Sequence, residues 1–288
     1  MSFKPDIVVL IDYPGFNLRI AEWAKPRGFK VVYYISPQVW AWKENRVKKI
    51  KQSVDRMLVI LPFEQPFYKK WAYATEYVGH PLVEVIDKER SALPAAALSE
   101  RPIVALLPGS RKQEILKKLP VMLQVAAFFP DYQFIVAKAP GQEDSFYDSL
   151  LHPYKNVSSV SGKTYALLLQ SKAALVTSGT ATLETALLGV PEVVCYKSSN
   201  FSYQIGKRLI KVKYISLVNL IMDKPVVKEL IQDDLTPDNL KKELADLLFN
   251  PMRIAQLKED YGALKQMLSE GGHASANAAR SVVGFSKT

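Results

Sequence analysis

The chain has 288 residues, 48% of them hydrophobic, which suits one large or two ordinary domains with a sizeable core. Its 38 basic and 28 acidic residues leave a net charge of +10, which favours an anionic partner: a nucleic acid, a phospholipid surface or a phosphorylated substrate. One cysteine, Cys195, excludes a disulfide framework and fits a reducing compartment; three scattered histidines argue against a metal cage. No RNA-binding signature or basic zipper is present, so nucleic acid ranks last among the partners and none is expected. No run approaches the ~18 apolar residues of a membrane span, and the opening MSFKPDIVVLIDYPGF has no signal-peptide pattern, so a cytoplasmic location is expected.

Taken in order, residues 6–11 (DIVVLI) read as a strand buried on both faces, as in a parallel sheet. The turn Asp12-Tyr13-Pro14-Gly15 leads to a helix over 17–25. A strand at 30–35 breaks at Ser36-Pro37-Gln38, and a Trp- and Lys-rich helix follows over 39–53. Further elements are a strand at 56–61, a helix at 63–71 and a short strand at 76–78 that ends at Gly79-His80-Pro81. His80 is read as a turn residue. Residues 87–102 read as a linker rich in Ala, Ser and charge.

A second unit starts with the strand 103–107 and the turn Pro108-Gly109-Ser110-Arg111. Helices at 113–129, 146–151 and 165–170 alternate with strands at 133–137, 157–160 and 174–176. The turn 177–180 (TSGT) leads into a helix from 181 to near Gly189, then a strand at 192–196 containing Cys195. The spacing predicts helices over 202–210 and 226–231, with an extended segment starting at 214–216. Helices over 238–249 and 251–269 follow, with a tail after Gly271-Gly272. Strands alternating with helices mean an α/β fold with parallel, doubly wound sheets. Two such units form a cleft, and ligands in such sheets sit outside the carboxyl ends of the strands.

Several groups are aimed at those ends. The Ser178-Gly179-Thr180 turn opens a helix whose N–H groups point outward, an anion-friendly terminus that could equally be an ordinary capped helix. Gly179 and Gly109 let a ligand approach the backbone. Ser110 sits in the same turn as Gly109. Arg111 at a helix start opposes the helix dipole, which favours an anion nearby. Asp12 directly follows a strand, as a candidate base or a turn cap. Asn17 could orient a substrate or cap its helix. Glu184 lies one turn into its helix and could accept from a ribose or face solvent. Asn219, polar inside an apolar run, suits a phosphate, a sugar or a loop closure. Glu229 and Lys228 could line the cleft or belong to a surface helix. Trp40 and Trp42 with Arg46, Lys48, Lys49 and Lys51 suit a membrane interface or a helix with one packed face. No Asp-x-Asp pair stands at a strand end, so no metal and no cofactor are expected.

The segments IDYPGFN (11–17), YISPQVWAWKENRVKKIK (34–51), LPFEQPFY (61–68), VGHPL (78–82), LLPGSRKQEI (106–115), TSGTATLE (177–184), SLVNLI (216–221) and KELIQDD (228–234) form an ordered set. In that order the chain resembles the lipid-A-disaccharide synthases along nearly its whole length. The resemblance implies an inverting glycosyltransferase of GT-B type with two Rossmann-like domains. It implies transfer of 2,3-diacylglucosamine from UDP-2,3-diacylglucosamine to the 6-hydroxyl of 2,3-diacylglucosamine 1-phosphate, giving a β-1,6 disaccharide 1-phosphate and UDP. The family works in lipid A biosynthesis in Gram-negative bacteria, peripheral to the cytoplasmic face of the inner membrane, and its pattern allows a homodimer.

Under that resemblance Asp12 is the general base, and Arg111 meets the departing diphosphate. Gly109, Ser110, Ser178, Gly179 and Thr180 seat the UDP, and Glu184 anchors its ribose. Asn219, Glu229 and Asn17 complete the substrate contacts. The family's glycine-rich GEASGD-type loop and apolar patch are not matched, so the first domain is expected to be incomplete. The expected division is an acceptor-side domain over 1–86, a linker over 87–102, a UDP-sugar domain over 103–270 and a tail over 271–288. A UDP-sugar 2-epimerase of the same architecture, or an inactive UDP-binding fragment, is the alternative.

Overall fold

The computed structural model describes residues 3, 5–91, 96–199 and 212–287. Described residues up to Val85 and from Lys265 onward cluster into one unit; those from Ile86 to 199 and from Lys213 to Leu264 cluster into another. The helix expected over 202–210 lies outside the described residues.

In the first unit, Ile7–Ile11 (β1), Lys30–Tyr34 (β2), Arg56–Val59 (β3) and Glu76–Tyr77 (β4) pair in parallel in simple order. The strand period of two sorts the side chains. Leu10, Val31, Tyr33, Met57 and Val59 face the helices Pro14–Ala24 (α1) and Val47–Ser53 (α3). Val32 and Leu58 face the opposite way, onto Ala278, Val282 and Phe285 of the helix Ala274–Ser286. The expected tail is therefore a packed helix: Arg56 Nη1 donates to the Ser281 carbonyl at 3.0 Å, and Ser281 Oγ donates to Glu76 Oε2 at 2.6 Å. Its Ala- and Val-rich composition supplied no charge pattern that separates a docked helix from a tail. β1 also departs from expectation. Val8 and Leu10 pack, but Val9 and Ile11 are 40% and 55% exposed on the other face of this edge strand.

The helix expected over 39–53 is split into Val39–Trp42 (α2), a 3-10 turn over Glu44–Arg46 and α3. Two tryptophans explain the break: Trp40 Nε1 donates to Glu64 Oε1 at 3.2 Å, and Trp71 Nε1 donates to Glu44 Oε1 at 3.1 Å. Glu64 opens the helix Glu64–Lys69 (α4), is 1% exposed and also accepts from the amides of Leu61 (2.9 Å) and Ile60 (3.2 Å). Ser36 and Tyr68 hydroxyls pair beside it at 2.8 Å. Burial pushes the Glu64 carboxyl up to about 7 against those hydrogen bonds. Residues of the SPQVWAW and LPFEQPFY segments thus share one buried polar network. His80 is buried and neutral: its Nδ1 accepts from the Leu82 amide at 3.2 Å, and burial lowers its pKa to about 4. The start of the expected linker is helical, since Pro81–Ser91 (α5) runs on through it.

In the second unit, Ile103–Leu107 (β5), Gln133–Lys138 (β6), Val157–Ser161 (β7), Ser171–Thr177 (β8), Glu192–Tyr196 (β9) and Lys228–Ile231 (β10) form one parallel sheet in the order β10-β9-β8-β5-β6-β7. The connecting helices are Lys112–Ala126 (α6), Asp144–Leu151 (α7), Thr164–Gln170 (α8), Thr180–Leu187 (α9) and Leu217–Met222 (α10). Pro237–Phe249 (α11) and Pro251–Ser269 (α12) follow. The chain winds one way from β5 to β7 and the other way from β8 to β10, so the order reverses between β5 and β8.

The helix expected over 226–231 is a strand. Four residues are too few to display a helical period, and the ladder of β10 on β9 satisfies their backbone instead. The pair Asp233-Asp234 accordingly follows a strand, in a 3-10 turn over Gln232–Asp234.

Glu192 opens β9 with 1% exposure, and among the described residues neither carboxylate oxygen has a hydrogen-bond partner. Burial raises its pKa well above the ordinary 4.5. The folded state therefore holds a proton that the unfolded state releases, so stability falls as pH rises above the unfolded value near 4.5. Glu192→Gln should flatten the decline in urea midpoint as pH rises above the unfolded value near 4.5. Parallel pH profiles for the two proteins would sink the assignment.

Candidate active site

The reversal between β5 and β8 leaves a hollow of about 350 Å³ outside their carboxyl ends. Its lining includes Gly109 and Ser110 from the loop after β5, and Thr177, Ser178, Gly179 and Thr180 from the turn after β8. Five of the sequence-predicted residues are thus brought together: Gly109, Ser110, Ser178, Gly179 and Thr180. The backbone explains both glycines. Gly179 has φ +150 with ψ −164, a conformation that is essentially glycine-only, and Gly109 has φ +118. Gly179 is the N-cap of α9 and no side chain caps that terminus, so the N–H dipoles of the first turn face the hollow. Ser178 is not a cap; its hydroxyl donates to the Ile215 carbonyl at 2.9 Å and ties the turn to the segment before α10.

Arg111 is the N-cap residue of α6, with its side chain 84% exposed. Its Nη1 stands 3.3 Å from Glu114 Oε1, an i,i+3 pair that accounts for a cation at this helix start. Glu184 lies one turn beyond the hollow, where Tyr165 OH donates to its Oε1 at 2.7 Å. Burial and Glu184 together push the Tyr165 phenol up, so it stays a proton donor.

Asn219 and Glu229 meet each other rather than the hollow. Asn219 is 1% exposed, and its Nδ2 donates to Glu229 Oε1 and to the Val227 carbonyl, both at 2.9 Å. Glu229 Oε1 also accepts from the amides of Ile215 (3.1 Å) and Ser216 (2.9 Å). The pair holds the 215–219 segment that receives Ser178, and with Lys228 it borders a separate depression.

Asp12 and Asn17 lie in the first unit. Asp12 directly follows β1 and is exposed; it and Tyr13 both adopt left-handed conformations, φ 48 and φ 45. Non-glycine residues there cost roughly 1–2 kcal/mol each. Tyr33 OH (2.5 Å) and Asn17 Nδ2 (2.8 Å) donate to the Asp12 carbonyl, and the Asp12 amide donates to the Tyr34 carbonyl at 2.9 Å. Those bonds leave the Asp12 carboxylate displayed beyond the strand end. Asn17 is spent on the turn, since it also donates to the Ile11 carbonyl at 3.0 Å.

Sequence reasoning missed Lys118, Thr177 and Lys138. Lys138 ends β6 on the wall of the hollow and pairs with Asp144 at 2.5 Å. Lys118 is buried and donates to Thr177 Oγ1. The signal for Lys118 was a cation in the apolar helical period of Ile115, Leu119 and Met122. Among the described residues no cluster of three or more His, Cys, Asp or Glu side chains has metal-holding geometry.

A family model described as lipid-A-disaccharide synthetase matches residues 1–283. The lipid-A-disaccharide synthase of Syntrophus aciditrophicus is 43% identical over 281 residues, covering 94% of this chain and 73% of its own. That of Coxiella burnetii (strain Dugway 5J108-111) is 39% identical over 286 residues, covering 96% and 75%. Among solved structures, the UDP-GlcNAc 2-epimerase of Neisseria meningitidis bound to UDP-GlcNAc has a TM-score of 0.60 at 13% identity, covering 93% of this chain and 77% of its own. A calicheamicin glycosyltransferase has 0.61 at 17%, covering 98% and 73%. At such identities the structural likeness speaks for the fold alone.

Glu229→Ala should leave the Ile215 and Ser216 amides and the Asn219 side chain without their acceptor. A loss of about 1–3 kcal/mol in stability is expected by urea denaturation. A change under about 0.5 kcal/mol would show that the carboxylate does not hold this segment.

Proposed function

The chain belongs to the lipid-A-disaccharide synthase family, and we propose that it transfers 2,3-diacylglucosamine from UDP-2,3-diacylglucosamine to 2,3-diacylglucosamine 1-phosphate. It is a glycosyltransferase of mixed α/β fold with parallel sheets. The observation that carries the donor side of this reading is the uncapped α9 terminus and Gly109 loop facing one hollow at the strand-order reversal.

The bond between the anomeric carbon and the UDP oxygen breaks, and one from the acceptor O6 to that carbon forms on the opposite face. The O6 proton goes to Asp12, and the electron pair leaves with UDP. What supports Asp12 in that role is its exposure and a turn whose hydrogen bonds from Tyr33 and Asn17 go to its main chain. Negative charge develops on the diphosphate, where the α9 amides and Arg111 answer it. Glu184, held by Tyr165, takes the ribose. Asn219 and Glu229 act by supporting the Ser178 turn, and Asn17 by supporting Asp12.

A place at the cytoplasmic face of the inner membrane of a Gram-negative bacterium, as a peripheral enzyme, fits the lipid substrates. Half-exposed Trp42, with Lys43 and Arg46 near its ring, is the described feature that supports contact with such a surface. Among the described residues no helix is long and apolar enough to cross a membrane.

Incubation of the two lipid sugars with the protein should yield disaccharide 1-phosphate and UDP, and UDP-GlcNAc should not yield its 2-epimer. The reverse pattern would favour the epimerase alternative. Asp12→Asn should lower kcat about 10²–10⁴-fold with UDP affinity retained; undiminished turnover rejects Asp12 as base. Because leaving-group charge is met by amides and Arg111, EDTA should leave turnover unchanged, and a large loss would refute that account.

A further inference from the structure

Lys118 stands on the second turn of α6, 4% exposed among Ile115, Leu119 and Met122. Its ammonium donates to Thr177 Oγ1 at the last residue of β8. Among the described residues no carboxylate forms an ion pair with it. An ammonium taken out of water loses solvation that only a counter-charge restores. Thr177 supplies a neutral acceptor, so the hydrogen bond alone does not explain a cation in an apolar stripe.

Gly109 shows where the counter-charge belongs. A Cβ built on Gly109 would lie 3.6 Å from Lys118 Nζ and 2.9 Å from Glu114 Oε2. The ammonium therefore lies beneath the Gly109 loop, and the Glu114 carboxylate lies nearer to the space over that glycine. Glu114 has folded onto the same face, and its other oxygen meets Arg111 Nη1 at 3.3 Å. Glu114 thus pairs with the exposed Arg111 and lies near the same glycine as Lys118 without an ion pair to it among the described residues. Burial pushes the Lys118 pKa down; Glu114 and Cys195 partly offset this, and Lys117 adds to it.

We propose that Lys118 is a donor-binding residue: its ammonium supplies fixed positive charge under the Gly109–Ser110 loop, and the diphosphate of the sugar nucleotide is its counter-anion. This rests on the sugar-nucleotide reading of the hollow and deepens it. A diphosphate over Gly109 brings more charge than Glu114 and needs no folding-back of a helix side chain. Its arrival stabilises the protonated lysine, so UDP binding is linked to proton uptake at alkaline pH. The phosphates are fully ionised there and contribute no proton of their own, as phosphate monoesters have a second pKa near ~6.

Titration calorimetry with UDP, in buffers of differing ionisation enthalpy, tests this on the whole chain. Wild-type affinity should fall as pH rises above neutrality, over the range below that in which the uracil N3–H of UDP itself ionises, with proton uptake on binding. Lys118→Met fills the same apolar stripe without the charge, so its thermal midpoint should be unchanged or raised. Its UDP Kd should rise about tenfold or more at neutral pH, and its alkaline proton uptake should vanish. If wild type binds UDP while Lys118→Met binds within about twofold with the same proton uptake, the Lys118 role is overturned and the donor reading stands. Failure of wild type to bind UDP overturns both. Should Lys118→Met not fold, absence of proton uptake by wild type still overturns the role.

Discussion

The pairing of β5 with β8 is the constraint on which the second unit depends. Every other neighbour in that sheet follows its partner directly in the chain, but β5 and β8 are joined across three helices and two strands. Their connections therefore leave the sheet in opposite directions, and no crossover covers the gap above them. The Gly109–Ser110 loop and the Ser178–Thr180 turn are the two lips of that gap. Their polar backbone is exposed because the topology offers it no partner. A parallel sheet with helices on its faces buries almost everything else, as the fully buried run from Ile103 to Leu106 shows.

Burial of polar groups is the second theme, and it has different outcomes in different places. Glu64 is surrounded by donors and fastens two sequence segments together. Glu229 does the same for the 215–219 segment. Both carboxylates convert otherwise unpaired main-chain amides into fixed structure, which is worth more in a low-dielectric interior than on a surface. Glu192 has no such donors and keeps a proton instead. Lys118 lies between these cases, with one hydroxyl partner and an incompletely matched charge. An incomplete match beside a backbone-lined hollow has a different meaning from a complete one inside a core.

Much of the fold was legible. Long apolar runs between glycine and proline breaks located β2, β5 and β9 within a residue or so of their observed bounds, because a strand buried by helices tolerates few polar residues. The turns after β5 and β8 were legible as well, since their small residues have few other uses at a strand end. Less legible were the elements whose identity depends on a distant partner. KELI became a strand because β9 offered an open edge. Residues 274–286 became a packed helix because Val32 and Leu58 needed cover. The break near Lys43 arose because two tryptophans found carboxylates on different elements.

The sequence by itself determined the α/β class, the family and the two glycine-bearing turns, since these follow from local period, local turn chemistry and an ordered set of short segments. Tertiary structure alone decided which candidates share a site. Asn219 and Glu229 look like ligand groups in a linear reading, yet ten residues of separation bring them to each other. Lys118 looks like one more surface lysine, yet α6 turns it inward beneath Gly109. The physical reason is the same in each case. A polar side chain takes its role from what desolvates it and from the partner that it then finds, and both are properties of packing across the chain rather than of neighbours along it.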